Sequence, residues 1–171
     1  MSVGLKHIHI ASDHAGFELK NEIIKNLQSQ HPQIKITDHG PSDTQSVDYP
    51  DFANKVCLKL NSETLNTSAN LDTLGILVCG SGQGMALRAN KFQYIRAALV
   101  YNDEIAKLAR EHNNANIICL GSRFCSAEDA FKWVELFINT SFSKGATHFV
   151  LQKSISQRHN KKYEQINSSK F

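Results

Sequence analysis

Cysteine is sparse in this chain. The four cysteines, at positions 57, 79, 119 and 125, are too widely spaced for a disulfide framework or a zinc pattern. An excess of charge of one sign is also nearly absent. A formal net charge of +3 is too small by itself to argue for nucleic acid, although basic residues gather late, at Lys153, Arg158, Lys161 and Lys162. No apolar run approaches the ~18 residues that span a bilayer, which excludes a membrane helix. The first apolar stretch, Ile8 to Ala11, is short and holds a histidine, so no secretory leader is expected and a reducing, cytoplasmic compartment fits. Ser169-Lys170-Phe171 differs in one residue from the Ser-Lys-Leu peroxisomal address and is taken as chance. Internal repeats are missing too.

What is present is globular. Hydrophobic residues make up 41% and charged residues 20% of the 171, which suggests one domain over 1–171 with a sizeable core. Short apolar strand candidates alternate with helical stretches. The strands are His7–Ala11, Ile34–Asp38, Leu74–Val78, Ala97–Val100 and Ile117–Leu120. Helices are expected over Gly16–Ser29, Tyr49–Leu60 and Met85–Asn90. Asn102 is a plausible cap for a helix through Glu111. Ser126 caps another, with Asp129 three residues on, whose buried face is Ala130, Phe131, Val134, Phe137 and Ile138. A last helix is predicted from about Val150 to Asn167, with a polar tail after it. Asn61–Asp72 is a polar break and reads as a surface insertion. Repeated βα units imply an α/β fold, a parallel sheet with helices on both faces and the site beyond the carboxyl ends of the strands.

The run Leu74-Gly75-Ile76-Leu77-Val78 leads directly into Cys79-Gly80-Ser81-Gly82-Gln83-Gly84. A strand that is apolar throughout is buried on both faces. A thiol therefore stands at the carboxyl end of a buried parallel strand, on a loop of exposed N–H groups that opens a helix. Such a loop binds anions and lowers the pKa of a cysteine. The bland alternative is a tight turn after a small buried residue. The glycines at 80, 82 and 84 fit neither the dinucleotide fingerprint nor the nucleotide P-loop.

Other strand ends should face the same crevice. They carry Asp13 and His14, Tyr101 and Asn102, and Gly121-Ser122-Arg123, while a polar loop ends in Asp48-Tyr49-Pro50. Each has an ordinary alternative. Asp13 could cap the following helix with His14 solvated, Tyr49 could be a packing aromatic, and His112 could be a last-turn histidine favoured by the helix dipole. Cys57 and Cys119 lie in apolar patterns and read as core. Arg158 and Lys162, four apart, form either a solvated basic face or, with Arg123, a phosphate clamp.

Together these groups suit the movement of a carbonyl between C1 and C2 of a sugar. That reaction needs a base beside the carbon acid, donors for the developing enediolate oxygen and a second group to pass the proton. Cys79 can be the base, the N–H groups from Gly80 to Gly84 can hold the oxyanion, and Ser81 can relay a proton. Cations would hold a distal phosphate.

Several segments in order then resemble a known family. They are Ala11–Phe17 (Ala-Ser-Asp-His-Ala-Gly-Phe), Val47–Ala53 (Val-Asp-Tyr-Pro-Asp-Phe-Ala), Val78–Gly84 (Val-Cys-Gly-Ser-Gly-Gln-Gly) and Arg88–Phe92. Ile95–Ala97, His112–Asn116, Leu120–Arg123 and Arg158-His159 follow. The chain resembles the ribose-5-phosphate isomerase B family, within the group that includes galactose-6-phosphate isomerase. The resemblance implies a Rossmann-like three-layer sandwich with a five-stranded parallel sheet. It also implies no cofactor, no metal, and a homodimer or dimer of dimers with active sites at the subunit interface. Carried across, Cys79 would be the base, Ser81 would assist proton movement and His112 ring opening. Gly80, Gly82 and Gly84 would line the anion hole. Asp13, Tyr49 and Asn113 would contact the sugar. His14, Arg123 and Arg158 would lie in the phosphate region. Where the family often has a second arginine this chain has Lys162, a point charge in place of a planar fork.

The expected reaction is ribose 5-phosphate to ribulose 5-phosphate, in the non-oxidative pentose phosphate branch. The nearest alternative is the same mechanism on a six-carbon phosphate of galactose or allose. A non-enzymatic sugar-phosphate or nucleotide sensor is disfavoured, because a binder needs no proton-transfer groups. A nucleic-acid binder is disfavoured by the short basic patch without interleaved aromatics.

Overall fold

The structure, a computed structural model, describes residues 4–64 and 72–143. Five strands alternate with five helices: β1 (His7–Ser12), α1 (Phe17–Gln30), β2 (Lys35–Asp38), α2 (Tyr49–Thr64) and β3 (Thr73–Cys79). Then come α3 (Gln83–Ala89), β4 (Ala97–Leu99), α4 (Asp103–Glu111), β5 (Ile117–Gly121) and α5 (Ala127–Asn139). All pairings are parallel, in the spatial order β2-β1-β3-β5-β4. The expected α/β architecture with a five-stranded parallel sheet is what forms.

Strand β3 takes the centre because every one of its residues can be buried. It pairs with β1 (Ser12 beside Val78) and with β5 (Cys79 beside Gly121). Alternation along the strands then divides the core into two layers. Ile8, Ile10, Ile76 and Val78 pack against α1, α4 and α5. Ala11, Leu77, Cys79 and Cys119 pack against α2 and α3, with Val56, Cys57, Leu60 and Met85 above them.

Capping residues set several of the helix starts. Asn102 accepts the Ile105 N–H at 2.8 Å. Ser126 accepts the Asp129 N–H at 3.0 Å, which caps α5, and donates its hydroxyl to the Asp129 carboxylate at 2.7 Å. On α5, Phe131 is only partly buried, and Trp133 takes the interior place. The indole N–H of Trp133 donates to Asp103 at 3.0 Å, which ties α5 to α4.

Two boundaries differ by more than one residue from the sequence-based expectation. Helix α2 continues to Thr64, four residues into the stretch read as an insertion, because polar residues can carry a helix as well as a loop. Helix α3 starts at Gln83, so Gly84 is helical. The predicted helix over 150–167 lies outside the described residues.

The first turn of α1 approaches β3 very closely. A Cβ on Gly16 would lie 2.7 Å from the Val78 carbonyl oxygen, a backbone atom that cannot step aside. Gly16→Ala is therefore expected to cost roughly 1–3 kcal/mol, the usual range for overpacking. Urea unfolding checks this, and an unchanged midpoint would show that the two elements have slack.

Candidate active site

The strand order puts the ends of β1, β3 and β5 side by side. Three loops meet there: Asp13–Gly16, Gly80–Gly82 and Ser122–Phe124. Backbone bonds lock them to one another. Asp13 N–H donates to the Val78 carbonyl at 3.0 Å, Ser122 N–H to the Cys79 carbonyl at 2.9 Å and Arg123 N–H to the Gly80 carbonyl at 3.1 Å. The Ser122 hydroxyl donates to the Ala15 carbonyl at 2.8 Å, with the Cys79 carbonyl 3.3 Å away. Ser122 thus joins all three loops. The sequence signal for it was its place between Gly121 and Arg123.

Cys79 sits beneath this junction, 5% exposed. Its Sγ accepts the Gly82 N–H at 3.1 Å. Gly82 has φ 75°, left-handed backbone that favours glycine, and a Cβ there would meet Leu99 Cδ1 at 2.6 Å. The fold of the turn is thus what aims the N–H at the sulfur. Ser81 is half-buried, and its Oγ accepts the Gln83 N–H at 3.4 Å. Two N–H groups of the loop are therefore engaged within it, so the expectation that all of Gly80 to Gly84 hold an oxyanion narrows to Gly80, Ser81 and Gly84.

Neighbouring side chains crowd the loop. A Cβ on Gly80 would lie 3.2 Å from the Arg123 guanidinium carbon, and one on Gly84 would lie 2.9 Å from the Tyr49 ring. Arg123 and Tyr49 therefore flank the glycine loop. Asp13 is buried, and one carboxylate oxygen accepts the Gly16 N–H at 2.9 Å, which closes the turn ahead of α1; the helix itself starts from Gly16 with no side-chain cap. His14 is not simply solvated: its Nδ1 accepts the Val47 N–H at 3.3 Å. Beside Ser81 and Gln83 opens a hollow of about 310 Å³, closed on its far side by Leu99, Tyr101 and Phe124. Cys79 does not line it.

His112 and Asn113 are elsewhere. Both are exposed and follow the end of α4, just before β5 starts. Cys79 stands beside Gly121, at the other end of β5. The four steps from Ile117 to Gly121 alone span about 13 Å at ~3.3 Å each. One chain cannot bring His112 to Cys79, because a helix that returns antiparallel to its strands delivers its carboxyl end to the opposite edge of the sheet. Arg158 and Lys162 lie outside the described residues. Among the described residues, no group of three or more histidines, cysteines or acids could hold a metal ion, and no helix is long and apolar enough to cross a membrane.

The other cysteines are held as thiols. Burial pushes Cys57 up to about 12, with a small opposing pull from Arg88. Burial raises Cys119 well above its ordinary value, helped by its neighbours Cys79 and Cys57. Burial, then Asp129, raises Cys125.

Comparisons with known proteins agree with this geometry. The model of the family described as Ribose/Galactose Isomerase matches residues 8–155. The probable ribose-5-phosphate isomerase B of Mycoplasma pneumoniae is 43% identical over 139 residues, 81% of this chain and 86% of that protein. Ribose-5-phosphate isomerase B of Mycolicibacterium paratuberculosis is 42% identical over 143 residues, 82% of this chain and 84% of that protein. The solved structure of ribose-5-phosphate isomerase B from Mycoplasma genitalium, with bound ribulose-5-phosphate, is 37% identical with a TM-score of 0.82. That alignment covers 92% of this chain and 98% of the other.

A raised thiol pKa leaves little nucleophilic thiolate at neutral pH. Native protein treated with iodoacetamide near pH 7.5 should stay unmodified at Cys57 and Cys119, and should react at both once unfolded in urea. Peptide mass mapping reads the result. Fast native labelling of either residue would contradict the burial described.

Proposed function

Since the chain belongs to the ribose/galactose isomerase family, we propose that it is an aldose–ketose isomerase interconverting ribose 5-phosphate and ribulose 5-phosphate. The observation that supports this most is the Cys79 thiol with the Gly82 N–H at its sulfur, in the junction of three strand ends. The names of the relatives and the sugar bound to the Mycoplasma genitalium protein favour a five-carbon phosphate.

In this reading the Cys79 thiolate removes the proton from C2 of the open-chain aldose. The electron pair moves to O1, giving an enediolate held by the Gly80, Ser81 and Gly84 N–H groups. Ser81 helps move the O2 proton to O1. Cys79 then returns its proton to C1, and the carbonyl stands at C2. Hydrogen only changes place within the substrate, so the step needs no external electron acceptor. Tyr49 and Asp13 contact the sugar, and His14 and Arg123 face the phosphate, joined by Arg158 and Lys162. His112, which opens the ring, and Asn113 come from a second copy of the chain, since their own Cys79 is out of reach.

Purified protein with a chelator present should convert ribose 5-phosphate, and Cys79→Ala should lose roughly 10²–10⁴-fold in kcat, the contribution of a positioned base. Wild-type turnover by the variant would refute the assigned base. Turnover of six-carbon phosphates alone would transfer the same mechanism to them. Mixing the Cys79→Ala and His112→Ala proteins after dissociation should restore about one quarter of wild-type activity, because half the dimers are mixed and each mixed dimer has one intact site. A mixture as inactive as its components would rule out a shared site.

A further inference from the structure

Lys20 stands on the face of α1 that the sequence marks as apolar, three residues after Phe17 and three before Ile23. It is completely buried. Its Nζ lies 2.6 Å from Asp38 Oδ2 and donates to the Pro41 carbonyl at 2.9 Å. Asp38 uses its other oxygen to accept the Gly40 N–H at 2.8 Å. The segment leaving β2 is thereby turned back over the end of β1. His39 N–H donates to the Ile10 carbonyl at 2.8 Å, and Ser12 N–H donates to the Gly40 carbonyl at 3.0 Å. The next residues of β1's loop are Asp13 and His14. Further along the same segment, Val47 N–H reaches His14 Nδ1, and Tyr49 follows against Gly84. Residues 39–48 thus run from a buried cation at one end to the site at the other.

A buried ion pair is a poor source of stability, because desolvation of the charges offsets most of their attraction, and an apolar side chain would fill the same space. Lys20 does something that an aliphatic residue cannot: it holds two acceptors of a loop in fixed directions. The imidazole of His14 depends on that loop. With Nδ1 accepting from Val47, the neutral ring carries its proton on Nε2 and presents an N–H donor. We propose that Lys20 is a positioning residue of the isomerase site: paired with Asp38, it latches residues 39–48 so that Val47 sets the tautomer of His14 and Tyr49 stays on the glycine loop. This rests on the isomerase reading for its kinetic consequence but not for the latch itself.

Two kinds of measurement on the full chain test it. Lys20→Met keeps length and apolar packing while leaving Asp38 at the surface, where it is already 39% exposed. Asp38→Ala breaks the latch from the exposed side and serves if Lys20→Met does not fold. In either variant, amide exchange over residues 42–48 should speed up about tenfold while the β1 and β3 amides stay protected. KM for ribose 5-phosphate should rise about tenfold with kcat within about twofold, the signature of lost binding contacts without lost chemistry. Unchanged exchange at Val47 overturns the latch. Faster exchange with unchanged KM overturns the positioning role, as does a lowered unfolding midpoint alone. If wild-type protein shows no turnover of ribose 5-phosphate, the isomerase reading fails, and the exchange measurement, which needs no substrate, still decides the latch.

Discussion

The close approach of backbone to backbone around the end of β3 is the constraint on which the rest depends. A Cβ at Gly16 would press on Val78, one at Gly121 would stand 2.8 Å from the Ser81 backbone, and one at Gly82 would strike Leu99. These contacts let three loops stack without side chains between them, and the Ser122 hydroxyl then bridges the gap that remains. Interiors this dense do not deform gradually. The turn after Cys79 is consequently held at the one geometry in which the Gly82 N–H points at sulfur. Catalytic groups held this way need little reorganisation when charge develops.

The two edges of the sheet have different tasks. The carboxyl edge gathers the thiol, the glycine loop, Tyr49, Arg123 and the Asp13-His14 pair. The amino edge carries His112 and Asn113 on a turn braced by Arg110, which is buried and donates to Asn114 and to the Ala115 carbonyl. Burial, with the nearby Arg96 charge, lowers Arg110 to about 10, so it remains a cation at neutral pH. Because α4 runs antiparallel to the strands, Cys79 and His112 stand at opposite edges of the one sheet.

Much of this was legible beforehand. Leu74–Val78 announced a buried strand through its unbroken apolar run, and the structure extends it by one residue at each end. Asn102 and Ser126 announced helix starts because their side chains can satisfy N–H groups locally, which needs no knowledge of the fold. The glycine loop announced itself by composition. Less visible were Lys20, whose charge argues for solvent while its spacing argues for the core, and Trp133, which displaced Phe131 from the interior because its N–H had Asp103 to meet. The extension of α2 past Leu60 was hidden because polar residues look alike in a helix and in a loop.

The sequence by itself determined the order of strands and helices, the caps, the buried strand, and the thiol followed by alternating glycines. These follow from neighbours along the chain: side-chain period, local hydrogen bonding and the freedom of glycine. Tertiary structure alone decided that β5 lies between β3 and β4, that Ser122 clasps three loops, that Lys20 turns inward to Asp38, and that His112 stands at the opposite end of the sheet from Cys79. Each of these depends on which distant segments become neighbours, a matter settled by strand pairing and the burial of two separate cores, and no local spacing encodes it.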